Sequence, residues 1–118
     1  MITGGARGIG RAVAEVFVKI GDRVLLISRT LDELKKTQAE LGGMPFIYDA
    51  DVSKPEGIKA IRAFIETTWQ GNLDVLVNAA GIYGPIGPLE ENDFEKWSQT
   101  IAINFLGTVA MCQLAIPF

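Results

Sequence analysis

The sequence contains no histidine and only one cysteine, Cys112. The absence of histidine excludes a histidine-based catalytic triad and histidine metal ligands from these 118 residues. A single cysteine cannot form an internal disulfide, and low cysteine content is typical of a reducing compartment. We therefore predict a cytoplasmic location and no metal site.

The sequence also lacks any run of basic residues. Its 11 Lys and Arg stand against 14 Asp and Glu, which gives a net charge of -3 and predicts no nucleic-acid partner. No charged leader with an apolar segment and cleavage site opens the chain, so no signal peptide is predicted. Residues 97–118 carry no charge, but polar side chains interrupt them, which favours a buried helix or a subunit interface over a membrane span.

What is present is an alternation of short apolar runs and helical patterns. With 48% hydrophobic and 21% charged residues, the chain can bury a core, and we predict one domain over residues 1–118. Strands are predicted at residues 1–3, 23–28, 45–48 and 73–77. Helices are predicted from residues 9, 31, 55 and 93, three of them behind capping boxes at residues 30–33, 53–56 and 92–95. The alternation predicts a doubly wound, parallel α/β sheet with helices on both faces.

A glycine-rich stretch lies between the first predicted strand and the first helix. Glycine lets the backbone approach a ligand, and the free N–H groups of a helix N-terminus attract an anion. This arrangement is typical of a pyrophosphate site, although tight strand-to-helix corners without a ligand also use glycine. The candidate cofactor-binding residues of this stretch are Thr3, Gly4, Gly5, Arg7, Gly8, Ile9 and Gly10.

The second predicted strand ends without a carboxylate, in Ser28 and Arg29. In a dinucleotide site, an acidic residue here would select NAD(H) through the ribose hydroxyls. Two guanidinium groups, from Arg7 and Arg29, and the Ser28 hydroxyl suit a 2′-phosphate better. We therefore favour NADP(H) as the cofactor, with NAD(H) as the alternative.

Two further candidate segments follow the third and fourth strands. Asp51 and Val52 come after the third strand, where Asp51 could accept a hydrogen bond from adenine or cap the turn before Ser53. Small residues after the fourth strand would let the cofactor approach the backbone, although an ordinary turn has the same composition. These residues are Asn78, Ala79, Ala80 and Gly81.

Taken together, these motifs resemble those of the short-chain dehydrogenase/reductase family. The resemblance extends over the whole chain and rests on Thr3-Gly4-x3-Gly8-x-Gly10, Asp51-Val52, Asn78-Ala79-Ala80-Gly81 and Asn104 in register. It implies a seven-stranded Rossmann-like fold and hydride transfer between nicotinamide and a small carbonyl or alcohol substrate. It also implies a catalytic role for Asn104, which would help to hold a water in a proton relay. Ala79 replaces the family's usual second asparagine and removes one amide.

The resemblance further implies a catalytic serine and a Tyr-x3-Lys pair, and this chain has no such pair. Val52 stands four residues after Tyr48, and Gly87 stands four residues after Tyr83. We therefore expect the cofactor-binding part of a longer enzyme, with a shortened first strand and no strand after the fourth. The isolated chain is expected to fold marginally and to turn over no substrate.

Substrate and assembly are less constrained. The apolar loop at residues 82–89 is compatible with ketone or acyl substrates, and 3-oxoacyl-carrier-protein reductases are the default within the family. The resemblance implies a homodimer or homotetramer, with Trp97, Phe105 and Cys112 either at an interface or in the core. A non-catalytic nucleotide-binding or sensor protein on the same fold is the alternative function. A methyltransferase would explain neither the two arginines nor the motifs after the fourth strand.

Overall fold

The computed structural model describes residues 1–118, which form four strands and five α-helices. A π-helical segment, Ala102–Gly107, joins the last two helices, and a 3-10 turn, Leu89–Glu91, precedes them. The strands and α-helices are β1 (Ile2–Thr3), α1 (Gly8–Lys19), β2 (Leu25–Ser28), α2 (Leu31–Glu40), β3 (Phe46–Asp49), α3 (Pro55–Thr68), β4 (Val77–Asn78), α4 (Phe94–Ile101) and α5 (Thr108–Ala115).

All four strands form one parallel sheet in the order β3-β2-β1-β4. Ile2 pairs with Leu26 on one side and with Val77 on the other, so β1 lies inside the sheet. The chain moves from β1 toward β3 and then returns to the opposite side of β1. The strand order therefore reverses between β1 and β4, and a crevice opens at the carboxyl ends of strands at such a point. The predicted doubly wound α/β class is confirmed.

Alternating side chains of β2 build two separate cores. Leu25 and Ile27 point to one face, where they join Met1 and the buried residues of α3 and α5. Leu26 points to the other face, where it packs with Ile2 and the buried residues of α1 and α2. This burial on both faces explains the continuous apolar run of β2. By contrast, β3 is an edge strand and leaves Phe46 partly exposed, so the expectation that every strand is covered on both faces is wrong for β3.

The fourth strand is shorter than predicted. Residues 73–77 were expected to form it, whereas the ladder covers Val77–Asn78, because β1 provides only two residues with which to pair. The interaction continues through the terminal ammonium of Met1, which donates a hydrogen bond to the Val75 carbonyl at 2.8 Å. Burial lowers the pKa of this ammonium from 8.0 to about 6, and the nearby Asp74 carboxylate opposes that shift.

This buried ammonium predicts a pH-dependent stability. In the unfolded chain the amine is protonated below its ordinary pKa of 8.0, whereas in the folded chain it loses its proton near pH 6. The unfolded chain therefore binds a proton that the folded chain does not bind between pH 6 and 8. The free energy of unfolding is highest above pH 8 and decreases as the pH falls toward 6. We expect a decrease of about 2 kcal/mol in the free energy of unfolding. Urea titrations at pH 6, 7 and 8 measure it, and Nα-acetylation should abolish the dependence. An equal slope in the acetylated chain would contradict this explanation.

The predicted capping boxes have mixed outcomes. Thr30 is the N-cap residue of α2 but makes no side-chain capping bond, so the predicted reciprocal bonds are absent. For α3 the N-cap residue is Lys54, not Ser53, because Pro55 occupies the first helical position. At α4 the N-cap residue is Asp93, not Asn92, so the capping box predicted at residues 92–95 is wrong by one residue; the Asp93 carboxylate accepts a hydrogen bond from the Glu95 N–H at 2.9 Å.

The last helix is interrupted by the π-helical segment, which the sequence pattern did not predict. Phe105 lies in this segment and is 61% exposed, so core packing within the described chain is excluded for it, and a subunit contact stays a prediction. Trp97 is partly exposed, and Cys112 has intermediate burial. None of the helices combines the length and apolar character needed to cross a membrane.

Candidate functional site

A cleft of about 890 Å³ lies at the carboxyl edge of the sheet, where the crevice is expected. Most of the candidate residues line it: Gly4, Arg7, Gly8, Ile9, Ser28, Arg29, Asp51, Val52, Ala79, Ala80 and Gly81. The lining does not include the other candidates, which are Thr3, Gly5, Gly10, Asn78 and Asn104. Residues that were not predicted complete the wall: Ile27, Thr30, Glu33, Ala50, Ile82, Tyr83 and Ile103.

Glycine is required at the three motif positions, Gly4, Gly8 and Gly10, for different physical reasons. Gly4 has a φ of +64°, and a Cβ there would meet the Ala79 carbonyl oxygen at 2.5 Å. A Cβ on Gly10 would collide with the carbonyl of Gly4, so these two glycines are required by packing within the fold. Gly8 also has a positive φ, but no atom lies within 4 Å of its Cβ position. Gly4 and Gly8 both line the cleft, but of the three glycines only Gly8 has open space at its Cβ position.

The N-terminus of α1 is free to receive an anion. Its N-cap residue, Arg7, makes no side-chain capping bond, and its first turn holds no acidic residue. The first N–H groups therefore keep their partial positive charge unopposed. Gly5 lies beneath this turn, and its N–H donates to the Ile27 carbonyl at 3.2 Å, which fixes the turn against β2. The site has the donor set that a pyrophosphate requires, so the residues present fit a dinucleotide.

Asp51 caps the turn before Ser53, which is one of the two roles predicted for it; the other is a hydrogen bond to adenine. Its Oδ1 accepts hydrogen bonds from the Ser53 N–H at 2.9 Å and from the Ser53 hydroxyl at 2.7 Å. Partial burial raises its pKa, but these bonds and the charges of Arg29 and Lys54 outweigh burial and hold the pKa below its ordinary value. The second carboxylate oxygen makes no hydrogen bond within the chain, so the adenine contact stays a prediction for that oxygen.

Thr3 connects β1 to the turn after β4. Its buried hydroxyl oxygen accepts hydrogen bonds from the N–H groups of Ala79 and Ala80, both at 3.2 Å. These bonds hold the small residues of the turn against the glycine-rich stretch. The Asn78 amide instead donates to the Cys112 sulfur at 3.4 Å, away from the cleft lining. Ala79 takes the place of the family's second asparagine, and its backbone N–H is satisfied by Thr3.

Asn104 clamps the loop that leaves β4. Its Nδ2 donates to the Ile82 carbonyl and its Oδ1 accepts from the Ile82 N–H, both at 2.9 Å. The π-helical segment places this side chain, and such segments often occur at functional sites. The amide retains one further N–H and one lone pair. The predicted role in holding a water is untested and stays a prediction.

Glu33 is the functional candidate that sequence reasoning missed. It lies in the first turn of α2 and lines the cleft beside Ser28 and Arg29. The sequence assigned it to a capping box with Thr30, and that bond is not made. The residue lines the same cleft as the two arginines. The sequence alone could not place Glu33 at the cleft, because its position depends on where α2 begins.

The switch-point crevice, the uncapped helix N-terminus and the glycine-rich turn define a nucleotide-binding domain of the Rossmann type. A family model described as short chain dehydrogenase matches residues 1–118. The chain belongs to the short-chain dehydrogenase family.

Two curated relatives are similar over nearly the whole chain. L-fucose dehydrogenase from Oryctolagus cuniculus is 36% identical over 118 residues, which are 99% of this chain and 40% of that protein. Sorbitol dehydrogenase from Cereibacter sphaeroides is 37% identical over 113 residues, which are 96% of this chain and 43% of that protein. The chain therefore spans less than half the length of these relatives.

Solved structures show the same relation. A 3-ketoacyl-ACP reductase from Sinorhizobium meliloti superposes with a TM-score of 0.89 at 33% identity, over 99% of this chain and 47% of that one. The closed form of serine dehydrogenase complexed with NADP+ superposes with a TM-score of 0.89 at 29% identity, over 98% of this chain and 46% of that one.

Proposed function

We propose that this chain is the cofactor-binding part of an NADP(H)-dependent oxidoreductase that transfers hydride between the nicotinamide and a small carbonyl or alcohol. The observation that carries the proposal is the composition of one cleft. Gly8 at the open helix N-terminus, Arg7, Ser28 and Arg29 all line it. Gly8 suits a pyrophosphate, and Ser28 and Arg29 lie at the end of β2, where the adenosine ribose is expected. Arg7 borders the same cleft and is the second guanidinium group available to a 2′-phosphate.

The choice of NADP(H) over NAD(H) rests on the donors that the cleft offers to a 2′-phosphate. A 2′-phosphate is a dianion, and two guanidinium groups with a hydroxyl can bind it through charge-assisted hydrogen bonds. Glu33 and Asp51 on the same lining equal Arg7 and Arg29 in number, so the net charge of the cleft does not select the cofactor. The preference rests on the two guanidinium groups and the Ser28 hydroxyl as donors to the phosphate.

Within this scheme, NADP(H) supplies or accepts the hydride, and the residues of this chain bind and orient. The N-terminus of α1 holds the pyrophosphate, and Asp51 borders the adenine with its free oxygen. Asn104 fixes the backbone of Ile82, which holds the turn after β4 in place at the nicotinamide end of the cleft. We also propose that the full-length protein acts on a small carbonyl or alcohol substrate. It would lie in the cytoplasm and assemble into a homodimer or homotetramer.

Replacing Ser28 with aspartate tests the cofactor choice. A carboxylate at the end of β2 repels a 2′-phosphate and accepts hydrogen bonds from ribose hydroxyls, so we expect the NADPH-to-NADH affinity ratio to fall about 10- to 100-fold. Quenching or enhancement of nicotinamide fluorescence gives both dissociation constants without turnover. Ser98→Asp adds the same charge on α4, outside the cleft lining, and should leave the ratio unchanged. An unchanged ratio in Ser28→Asp would refute the assignment of this strand end.

A further inference from the structure

The loop between β4 and α4 is held at both ends. Asn104 clamps Ile82 through two hydrogen bonds. At the other end, the Asn92 amide donates to the carbonyls of Gly87 at 3.2 Å and Pro88 at 2.7 Å. Between them, Gly84 packs so closely on α4 that its Cβ position lies 3.4 Å from the Trp97 ring. The side chains that this loop exposes are therefore presented from a fixed backbone.

Residues 81–89 contain no charged side chain, and the Tyr83 hydroxyl is their only polar side-chain group. Tyr83 is 95% exposed, Ile86 91% and Leu89 73%, so the loop leaves three large side chains in water. They differ in position, because Tyr83 lines the cleft together with Ile82, whereas Ile86 and Leu89 do not. An exposed aromatic ring on a fixed loop that borders a ligand cleft is a preformed contact surface.

The topology places this surface at the nicotinamide end of the cleft. The pyrophosphate position lies at the end of β1, and the adenosine position lies beside it at the ends of β2 and β3. The other half of a dinucleotide must extend from β1 toward β4, which is the opposite neighbour of β1. Ile82 and Tyr83 follow the end of β4, so they border the group that reacts with the substrate.

We propose that Ile82 and Tyr83 form the apolar wall of the substrate site and that Tyr83 determines specificity for ketones or secondary alcohols with an apolar body. The inference rests on the proposed function and names the substrate class. Hydroxyl groups pressed against the Tyr83 ring and the Ile82 side chain would lose hydrogen bonds to water, and the Tyr83 hydroxyl is the one side-chain partner that this wall offers in exchange. A polyol or sugar is therefore disfavoured, whereas an alkyl, alicyclic or aryl group gains the burial of the Tyr83 ring.

Fluorine NMR of the chain labelled with 3-fluorotyrosine tests this proposal. The sequence has two tyrosines, and Tyr48 on β3 provides an internal reference. The chain is first saturated with NADP+ and then titrated with cyclohexanone or with dihydroxyacetone, two ketones that NADP+ cannot oxidise at the carbonyl. We expect cyclohexanone to shift the Tyr83 signal saturably, without moving that of Tyr48, and dihydroxyacetone to bind at least about tenfold more weakly.

Variants separate recognition by the ring from a general effect of the loop. Tyr83→Ser should weaken cyclohexanone binding at least about tenfold, whereas Tyr83→Phe retains the ring and should stay within about twofold. Ile86→Ser removes an equally exposed side chain that does not line the cleft and should also stay within about twofold. Equal binding of both ketones, no shift at Tyr83, or an equal loss in Ile86→Ser would overturn the proposal. A chain that fails to bind NADP+ refutes the proposed function itself, whereas NADP+ binding without a ketone response refutes this inference alone.

Discussion

Gly4→Ala is expected to unfold a large part of the chain. The added Cβ meets two separate obstacles, a φ of +64° and the Ala79 carbonyl oxygen at 2.5 Å. The left-handed conformation costs roughly 1–2 kcal/mol for a residue with a Cβ. Overpacking against a fixed backbone costs typically another 1–3 kcal/mol. A total of about 3 kcal/mol is a large share of the 5–15 kcal/mol typical of a whole domain.

Gly42→Ala provides the matched control for this prediction. Gly42 has a similar φ of +74°, but no atom lies within 4 Å of its Cβ position. It should therefore show only the conformational cost, about 1–2 kcal/mol. Urea unfolding followed by far-ultraviolet circular dichroism measures both variants. If the two glycine variants lose equal stability, the contact between the glycine-rich stretch and the turn after β4 is not tight enough to matter.

Thr3→Val is the second substitution with a large expected effect. Valine retains the shape of threonine, but it removes the oxygen that accepts from the N–H groups of Ala79 and Ala80. Each donor left without a partner in this partly buried turn costs about 1–2 kcal/mol, the lower part of the range for buried groups, so we expect a loss of about 2–3 kcal/mol. The turn after β4 should also lose its fixed position, so NADPH binding should weaken in whatever fraction remains folded.

Two variants control for the loss of the hydroxyl. Thr3→Ser retains the acceptor and should recover most of the stability. Thr37→Val removes a buried hydroxyl that donates to the Ala6 carbonyl at 2.6 Å, which leaves one group unpaired instead of two. Its expected loss is about 1–2 kcal/mol. Chemical denaturation and NADPH titration are performed on all three variants. Equal losses for Thr3→Val and Thr37→Val would show that the two N–H groups find other partners.

The fold class could be predicted because it depends on patterns that are local in sequence. The apolar run of β2 is continuous since both faces of that strand are buried. The extent of β4 could not be predicted in the same way. It depends on how many residues of β1 lie beside it, which is a long-range property.

The candidate site was predicted in composition better than in geometry. The glycine-rich stretch and the strand ends converge on one cleft, as the parallel sheet requires. Asn104, however, bonds to the backbone of a residue 22 positions away, and Thr3 bonds to the backbone of a residue 76 positions away. Glu33 lines the cleft, and the predicted capping bond with Thr30 is not made. Sequence spacing carries no information about which of two competing partners a side chain selects.

The different reasons for Gly4, Gly8 and Gly10 affect how glycine signatures are read in diverged proteins. Purifying selection on foldability alone would retain Gly4 and Gly10, because a side chain at either position collides with backbone. A descendant that had lost its cofactor, and survived as a pseudoenzyme, would still carry both. Relaxed constraint would be seen first at Gly8, where the space in front of the backbone is empty and only positive φ opposes a side chain. Loss of nucleotide binding should therefore be diagnosed at the middle glycine of the motif.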